Sequence, residues 1–113
     1  MRKRHTAWVL FMLLLSIPSA PAFCAQEEYK LAIKDHRFEP EELTVPAGVK
    51  FKVLVENLDD SAEEFESYTL NREKVIAGHG RGILFLGPLK PGRYEFFGDF
   101  HKDTTKGALV VKE

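Results

Sequence analysis

From Tyr29 to the C-terminus, apolar and polar side chains change places at almost every step. Tyr29, Leu31 and Ile33 fall on one side of the chain and Lys30, Ala32 and Lys34 on the other. Val49, Phe51, Val53 and Val55 alternate in the same way with Lys50, Lys52, Leu54 and Glu56. A period of two is the mark of a half-buried strand, because successive Cβ atoms leave the pleat on opposite faces. Further strands are predicted over Glu42–Val45, Glu64–Leu70, Gly82–Leu86, Arg93–Phe97 and Ala108–Lys112. Pro46-Ala47-Gly48, Gly87-Pro88 and Lys90-Pro91-Gly92 separate them, with Pro presetting φ and Gly supplying positive φ. No stretch has a convincing helical period, although Asn71–Ile76 has room for one turn. About seven short strands predict an all-β fold, a Greek-key β-sandwich of two antiparallel sheets packed face to face. Phe38, Phe51, Phe65, Phe85, Tyr94 and Phe96 are its predicted aromatic core. Tyr94, four residues after Lys90, also has the placing of a corner tyrosine that ties a crossover loop.

The alternation does not extend to the N-terminus. Residues 1–25 begin with Arg2, Lys3 and Arg4, continue with the apolar run WVLFMLLLSI, and end in small residues and proline. That is the pattern of a secretory signal peptide; the run is short of the roughly 20 apolar residues a membrane span takes. Cleavage after Ala22 or after Ala25 fits the small-residue rule, the former better, because the latter places Phe23 three residues before the cut. An uncleaved anchor, and a lipid on Cys24, are the alternatives. The expected compartment is the periplasm, with one domain over residues 26–113.

Composition narrows the chemistry. The domain holds 13 Lys and Arg against 17 Asp and Glu, a formal charge of −4. An acidic face does not suit nucleic acid, whose phosphates demand cations. The only cysteine and both methionines, Cys24, Met1 and Met12, fall in the leader. The domain therefore offers no disulfide, no thiolate nucleophile and no Cys/Met copper site. No G-x-S-x-G occurs, and so small a sandwich rarely supplies the cleft that sugar hydrolysis needs. Gly78-His79-Gly80-Arg81-Gly82 lacks the Lys-Ser/Thr of a phosphate loop, and His79 reads as a surface residue.

The order of features resembles a cupredoxin. Phe38-Glu39-Pro40 with Leu43-Thr44-Val45-Pro46-Ala47-Gly48 is similar to the family's opening strands. Asn57–Ser67 falls where family members carry an Asn, a loop and the first copper His. Lys90–Gly98 resembles the approach to the copper Cys, and Thr105–Val111 the closing strand. The resemblance places Glu63 or Glu64 at the first His position, Gly98 at the Cys and Thr104–Thr105 in the Met region, with His101 near a ligand slot. It implies the fold without type 1 blue copper. Glu64-Phe65-Glu66, Arg72-Glu73-Lys74-Val75-Ile76 and Phe97-Gly98-Asp99-Phe100-His101 are closer to cupredoxin-like proteins that accompany bacterial Ftr- and Efe-type ferrous-iron permeases. In that group carboxylates replace the copper His. The resemblance implies periplasmic iron handling, copper-linked or not, beside a membrane permease and other uptake components.

Glu64 and Glu66 stand two apart on a predicted strand and share a face. Asp99 and His101 share parity on the closing loop and are expected to converge with them. Together they form a hard-to-borderline site for an iron or copper ion, Mn(II) or Zn(II). His36 is either a further ligand or an exposed turn residue. Glu73 is either a ligand or supporting carboxylate or, the favoured reading, the partner of Arg72 or Lys74. Three functions stay open: a metal-binding module, a metal-free degenerate cupredoxin that works as an interaction module, and an enzyme that oxidises Fe(II) with an electron acceptor from elsewhere.

Overall fold

A computed structural model describes residues 14–16 and 26–113. Apart from residues 14–16, the leader expected over residues 1–25, Cys24 included, lies outside the described residues. Among the described residues, no helix is long and apolar enough to cross a membrane.

Nine strands follow one another: β1 (Glu27–Lys34), β2 (Arg37–Glu39), β3 (Glu42–Pro46), β4 (Phe51–Asn57), β5 (Glu63–Ser67), β6 (Arg72–Ile76), β7 (Arg81–Leu86), β8 (Gly92–Gly98) and β9 (Lys106–Lys112). A three-residue 3-10 turn, Asp99–His101, joins β8 to the last loop. The strands form two sheets, in the orders β2-β1-β4-β7 and β3-β9-β8-β5-β6. The sandwich has the predicted layers, but each sheet is mixed rather than purely antiparallel. β1 runs parallel to β4, and β3 parallel to β9, because the chain changes sheet between β2 and β3.

Inward positions of both sheets close the core. Phe38, Phe51, Phe65 and Phe96 are almost wholly buried, among Leu31, Ile33, Val45, Val53, Val55, Leu109 and Val111. Phe96 packs edge-on to Phe38 at 4.9 Å and tilted against Phe65 at 5.0 Å, separations at which aromatic pairs attract. The Tyr94 hydroxyl donates to the Lys90 carbonyl at 2.8 Å, as a corner tyrosine does.

Two expectations need correction, and one strand was not expected. Phe85 is not core: it is 61% exposed. β7 pairs with β4 so that Leu84 and Leu86 stand opposite Val53 and Phe51, which turns Phe85 outward beside Lys52. Asn71–Ile76 holds a strand, not a helical turn. β6 is an edge strand exposed at four of its five positions, so it carries no alternation to read. β2 has three residues, of which only Phe38 is buried, too short for any period to show.

Candidate metal centre

Three segments meet at one end of the sandwich. The first is the turn between β1 and β2. Lys34 pairs with Arg37, which leaves Asp35 and His36 as a two-residue loop with φ of 51° and 56°. This left-handed backbone is uncommon for side chains other than Gly, and Asp and His are among those that tolerate it best. The Asp59 carboxylate holds it in place, accepting the N–H of Asp35 at 2.8 Å and of His36 at 3.0 Å. Thr105 Oγ1 donates to the His36 carbonyl at 2.7 Å. Asp59 is itself fixed by fully buried Asn57. The Asn57 Oδ1 accepts the Asp59 N–H at 3.0 Å, and its Nδ2 donates to the Ser61 carbonyl at 2.9 Å and the Ile76 carbonyl at 3.2 Å.

The second segment is the start of β5. Glu63, Phe65 and Ser67 face inward and Glu64 and Glu66 outward. Glu63 is therefore a carboxylate on the core face, 1% exposed. Burying a carboxylate is costly unless donors replace its water. Here they do. Oε1 accepts the N–H of Glu64 at 3.0 Å and of Phe100 at 2.9 Å, and Oε2 lies 2.6 Å from His101 Nδ1.

The third segment is the 3-10 turn. His101 meets Glu63 on its inner side and stacks on His36, ring centroids 3.7 Å apart and planes 24° from parallel. A ring nitrogen of each histidine and an oxygen of Glu63 lie within 4.8 Å of one another, the size of a set that could close on one ion. Gly98 makes room for this. A Cβ there would stand 2.6 Å from Glu63 Cδ and 2.7 Å from Thr105 Cγ2, closer than carbon atoms approach. The space beside residue 98 is filled by the Glu63 carboxyl group.

Burial alone would raise the Asp59 carboxyl, but the backbone N–H groups of His36 and Asp35, then the His36 and His101 imidazoles, bring it below its ordinary value. A second group lies on the outer face. Oxygens of Glu64, Glu66 and Asp99 are also within 4.8 Å of one another. Glu64 is pushed up to about 7, first by a hydrogen bond with the Glu73 carboxyl, then by desolvation and the charges of Glu73, Asp99 and Glu66. Lys102 Nζ lies 3.1 Å from Asp99 Oδ1 and partly neutralises the group.

The five residues singled out in the sequence therefore do not meet at one point. Glu64, Glu66 and Asp99 share the outer face, while His101 and His36 stand with Glu63 at the end of the sandwich. Asp99 and His101 do not share a face because they lie in a 3-10 turn, where residues two apart are about 240° apart around the axis. Of the two residues that the resemblance allows at the first His position, Glu63 is the inward one. Its alternation with buried Phe65 was the available signal. Asp59 carried none, since it serves through backbone N–H groups distant in sequence. Glu73 is not paired with Arg72 or Lys74. It stands across from Glu66, and the Arg72 guanidinium turns instead to the Phe85 carbonyl at 3.1 Å. His79 is exposed and bonded to Asp60.

Residues 6–111 match the family model of the cupredoxin-like domain, and the chain belongs to that family. Protein RP394 of Rickettsia prowazekii (strain Madrid E) is 48% identical over 86 residues, 76% of this chain and 69% of that one. Among solved structures, the metal-binding domain of the Cu(I)-exporting P-type ATPase CopA of Streptococcus pneumoniae D39 superposes with a TM-score of 0.68 at 16% identity, over 76% of this chain and 85% of that one. Reduced auracyanin of Roseiflexus castenholzii gives 0.67 at 16% identity, over 79% and 99%. At such identities these two structures share the fold alone. The described residues contain no sulfur, so they do not fit a thiolate-ligated copper.

Proposed function

We propose that this protein is a periplasmic metal-binding module that serves iron uptake, copper-linked or not, beside a membrane permease. Its ion sits at the His36–Glu63–His101 end of the sandwich, in place of type 1 copper. The observation that carries the proposal is Glu63: a carboxylate buried on a core face, in contact with one imidazole that stacks on another. A fold maintained only as a scaffold gains nothing from so costly a group at that place. Imidazole with carboxylate suits Fe(II), Zn(II) and Cu(II), and Cu(I) poorly. The residues supply binding and orientation; an electron acceptor for Fe(II) oxidation would have to come from another component.

The iron role is tested by uptake of radioactive iron in cells lacking the gene. Loss of uptake, restored by the wild-type chain and not by a His36→Ala/His101→Ala variant, is the expected result. Uptake unchanged by the deletion contradicts it. A second reading, a metal-free interaction module, is favoured by one fact: both oxygens of Glu63 have hydrogen-bond partners within the protein itself. It predicts a melting temperature indifferent to every divalent ion.

A further inference from the structure

Both histidines turn Nδ1 toward a carboxylate, at different distances. His101 directs Nδ1 at Glu63, whose side chain is 2% exposed. His36 directs Nδ1 toward Asp59 Oδ2, 3.6 Å away, in a carboxylate whose side chain is 14% exposed and already holds the turn. Only the His101 contact is of hydrogen-bond length; at 3.6 Å the Asp59 carboxylate faces the His36 ring without a hydrogen bond to it. The other nitrogen of each ring, Nε2, has no hydrogen-bond partner among the described residues. The side chains of His36 and His101 remain 42% and 30% exposed, so these free edges are reachable from solvent while the Glu63 side is closed.

Resting on the metal-binding reading above, we propose that the Nε2 atoms of His36 and His101 are the protein's ligands to the ion. Glu63 acts as the positioning residue on the Nδ1 side of His101, Asp59 holds the backbone of the turn that carries His36, and water completes the coordination. A carboxylate that accepts Nδ1–H fixes the ring's rotation and tautomer and leaves the lone pair on Nε2, which is how outer-shell carboxylates raise the affinity of histidine ligands. Glu63 is suited to that part. Three donors already converge on it, and a metal in direct contact would have to displace the His101 nitrogen from a sealed site. The arrangement also sets selectivity. Two imidazoles and water favour Zn(II), Cu(II), Ni(II) and Fe(II) and hold Mg(II), Ca(II) and Mn(II) weakly, whereas a carboxylate-ligated centre would take the hard ions.

The test is nitrogen-resolved NMR of the histidine rings of the purified protein at about pH 8, above the ordinary imidazole range, with Zn(II) as the diamagnetic probe. The expected metal-free form of His101 carries its proton on Nδ1, and Zn(II) moves the Nε2 resonances of His36 and His101. In Glu63→Gln the amide keeps an oxygen for the N–H groups of Glu64 and Phe100 and turns its NH2 toward His101 Nδ1. The proton then moves to Nε2, and Zn(II) affinity falls about 10–100-fold. Two results overturn the proposal while leaving metal binding intact: Zn(II) shifting Nδ1 rather than Nε2, or Glu63→Gln changing neither tautomer nor affinity. No saturable Zn(II) binding by the wild-type protein overturns both this proposal and the reading on which it rests.

Discussion

Replacing Gly98 with alanine adds one methyl group at the point where the Glu63 carboxyl lies. The backbone does not object, since φ at this position is −93°, an ordinary value for any residue. The cost is steric. The new Cβ would fall 2.6 Å from Glu63 Cδ, 2.7 Å from Thr105 Cγ2 and 2.8 Å from Glu63 Oε1. Overpacking of this kind costs about 1–3 kcal/mol. Glu63 gives way by moving from the Phe100 N–H, leaving a part-buried donor without its partner, worth about a further 1 kcal/mol. The sum, on the order of 2–4 kcal/mol, is large against the roughly 4–13 kcal/mol expected for a domain of this size. It corresponds to a fall in melting temperature of about 10–25 °C. Thermal unfolding followed by circular dichroism measures it, and a double-mutant cycle assigns it. With Glu63→Ala in the background the added methyl meets only Thr105, so the two substitutions should couple by at least about 1 kcal/mol. A Gly98→Ala protein that melts within about 2 °C of wild type, or a cycle whose single effects simply add, refutes the claim that the carboxyl group occupies this space.

Asn57→Ala removes the donor to the Ser61 and Ile76 carbonyls and the acceptor of the Asp59 N–H from a fully buried position, and should cost about 2–4 kcal/mol in urea unfolding; a cost under about 0.5 kcal/mol contradicts the role given to it. Asp59 is held below its ordinary range, so its contribution is complete above the unfolded carboxylate pKa and is lost as pH falls through the depressed folded value. Asp59→Asn should therefore flatten the acid limb of a plot of urea midpoint against pH, and an acid limb as steep as wild type counts against it. Glu64 has the opposite sign: its folded pKa, about 7, lies above the ordinary 4.5, so its contribution is complete below about 4.5 and is lost as pH rises through about 7. Glu64→Gln should remove the decline in midpoint over that interval, and a wild-type midpoint that does not decline there refutes the carboxyl contact with Glu73.

The sandwich was legible because its strands bury one face. Leu31, Ile33, Val53 and Val55 alternate with exposed or half-exposed neighbours in both the sequence and the fold. Legibility ended where burial is thin. β6 exposes almost everything it has, and β2 contributes only Phe38. Phe85 shows the related limit: hydrophobicity alone does not say which parity faces the core, and the pairing of β7 with β4 settled it in favour of Leu84 and Leu86. At the site, the sequence named His101, and His36 as one of two alternatives, but not their grouping with Glu63. Parity along a strand places Glu64 with Glu66 correctly. It fails across the 3-10 turn, where Asp99 turns toward the outer carboxylates and His101 toward Glu63. The supports of His36, from Asp59 and Thr105, are contacts between segments 23 and 69 residues apart and have no local signature.

The most direct test of the account sets the two groups of acidic and histidine side chains against each other. Calorimetric titration with Zn(II), and with Fe(II) under anaerobic conditions, is made on the wild-type protein, on His36→Ala/His101→Ala and on Glu64→Gln/Glu66→Gln. Saturable binding that disappears in the histidine pair and survives in the glutamate pair is the predicted outcome. Binding that survives without the histidines and vanishes with the outer glutamates places the ion on the other face and contradicts it.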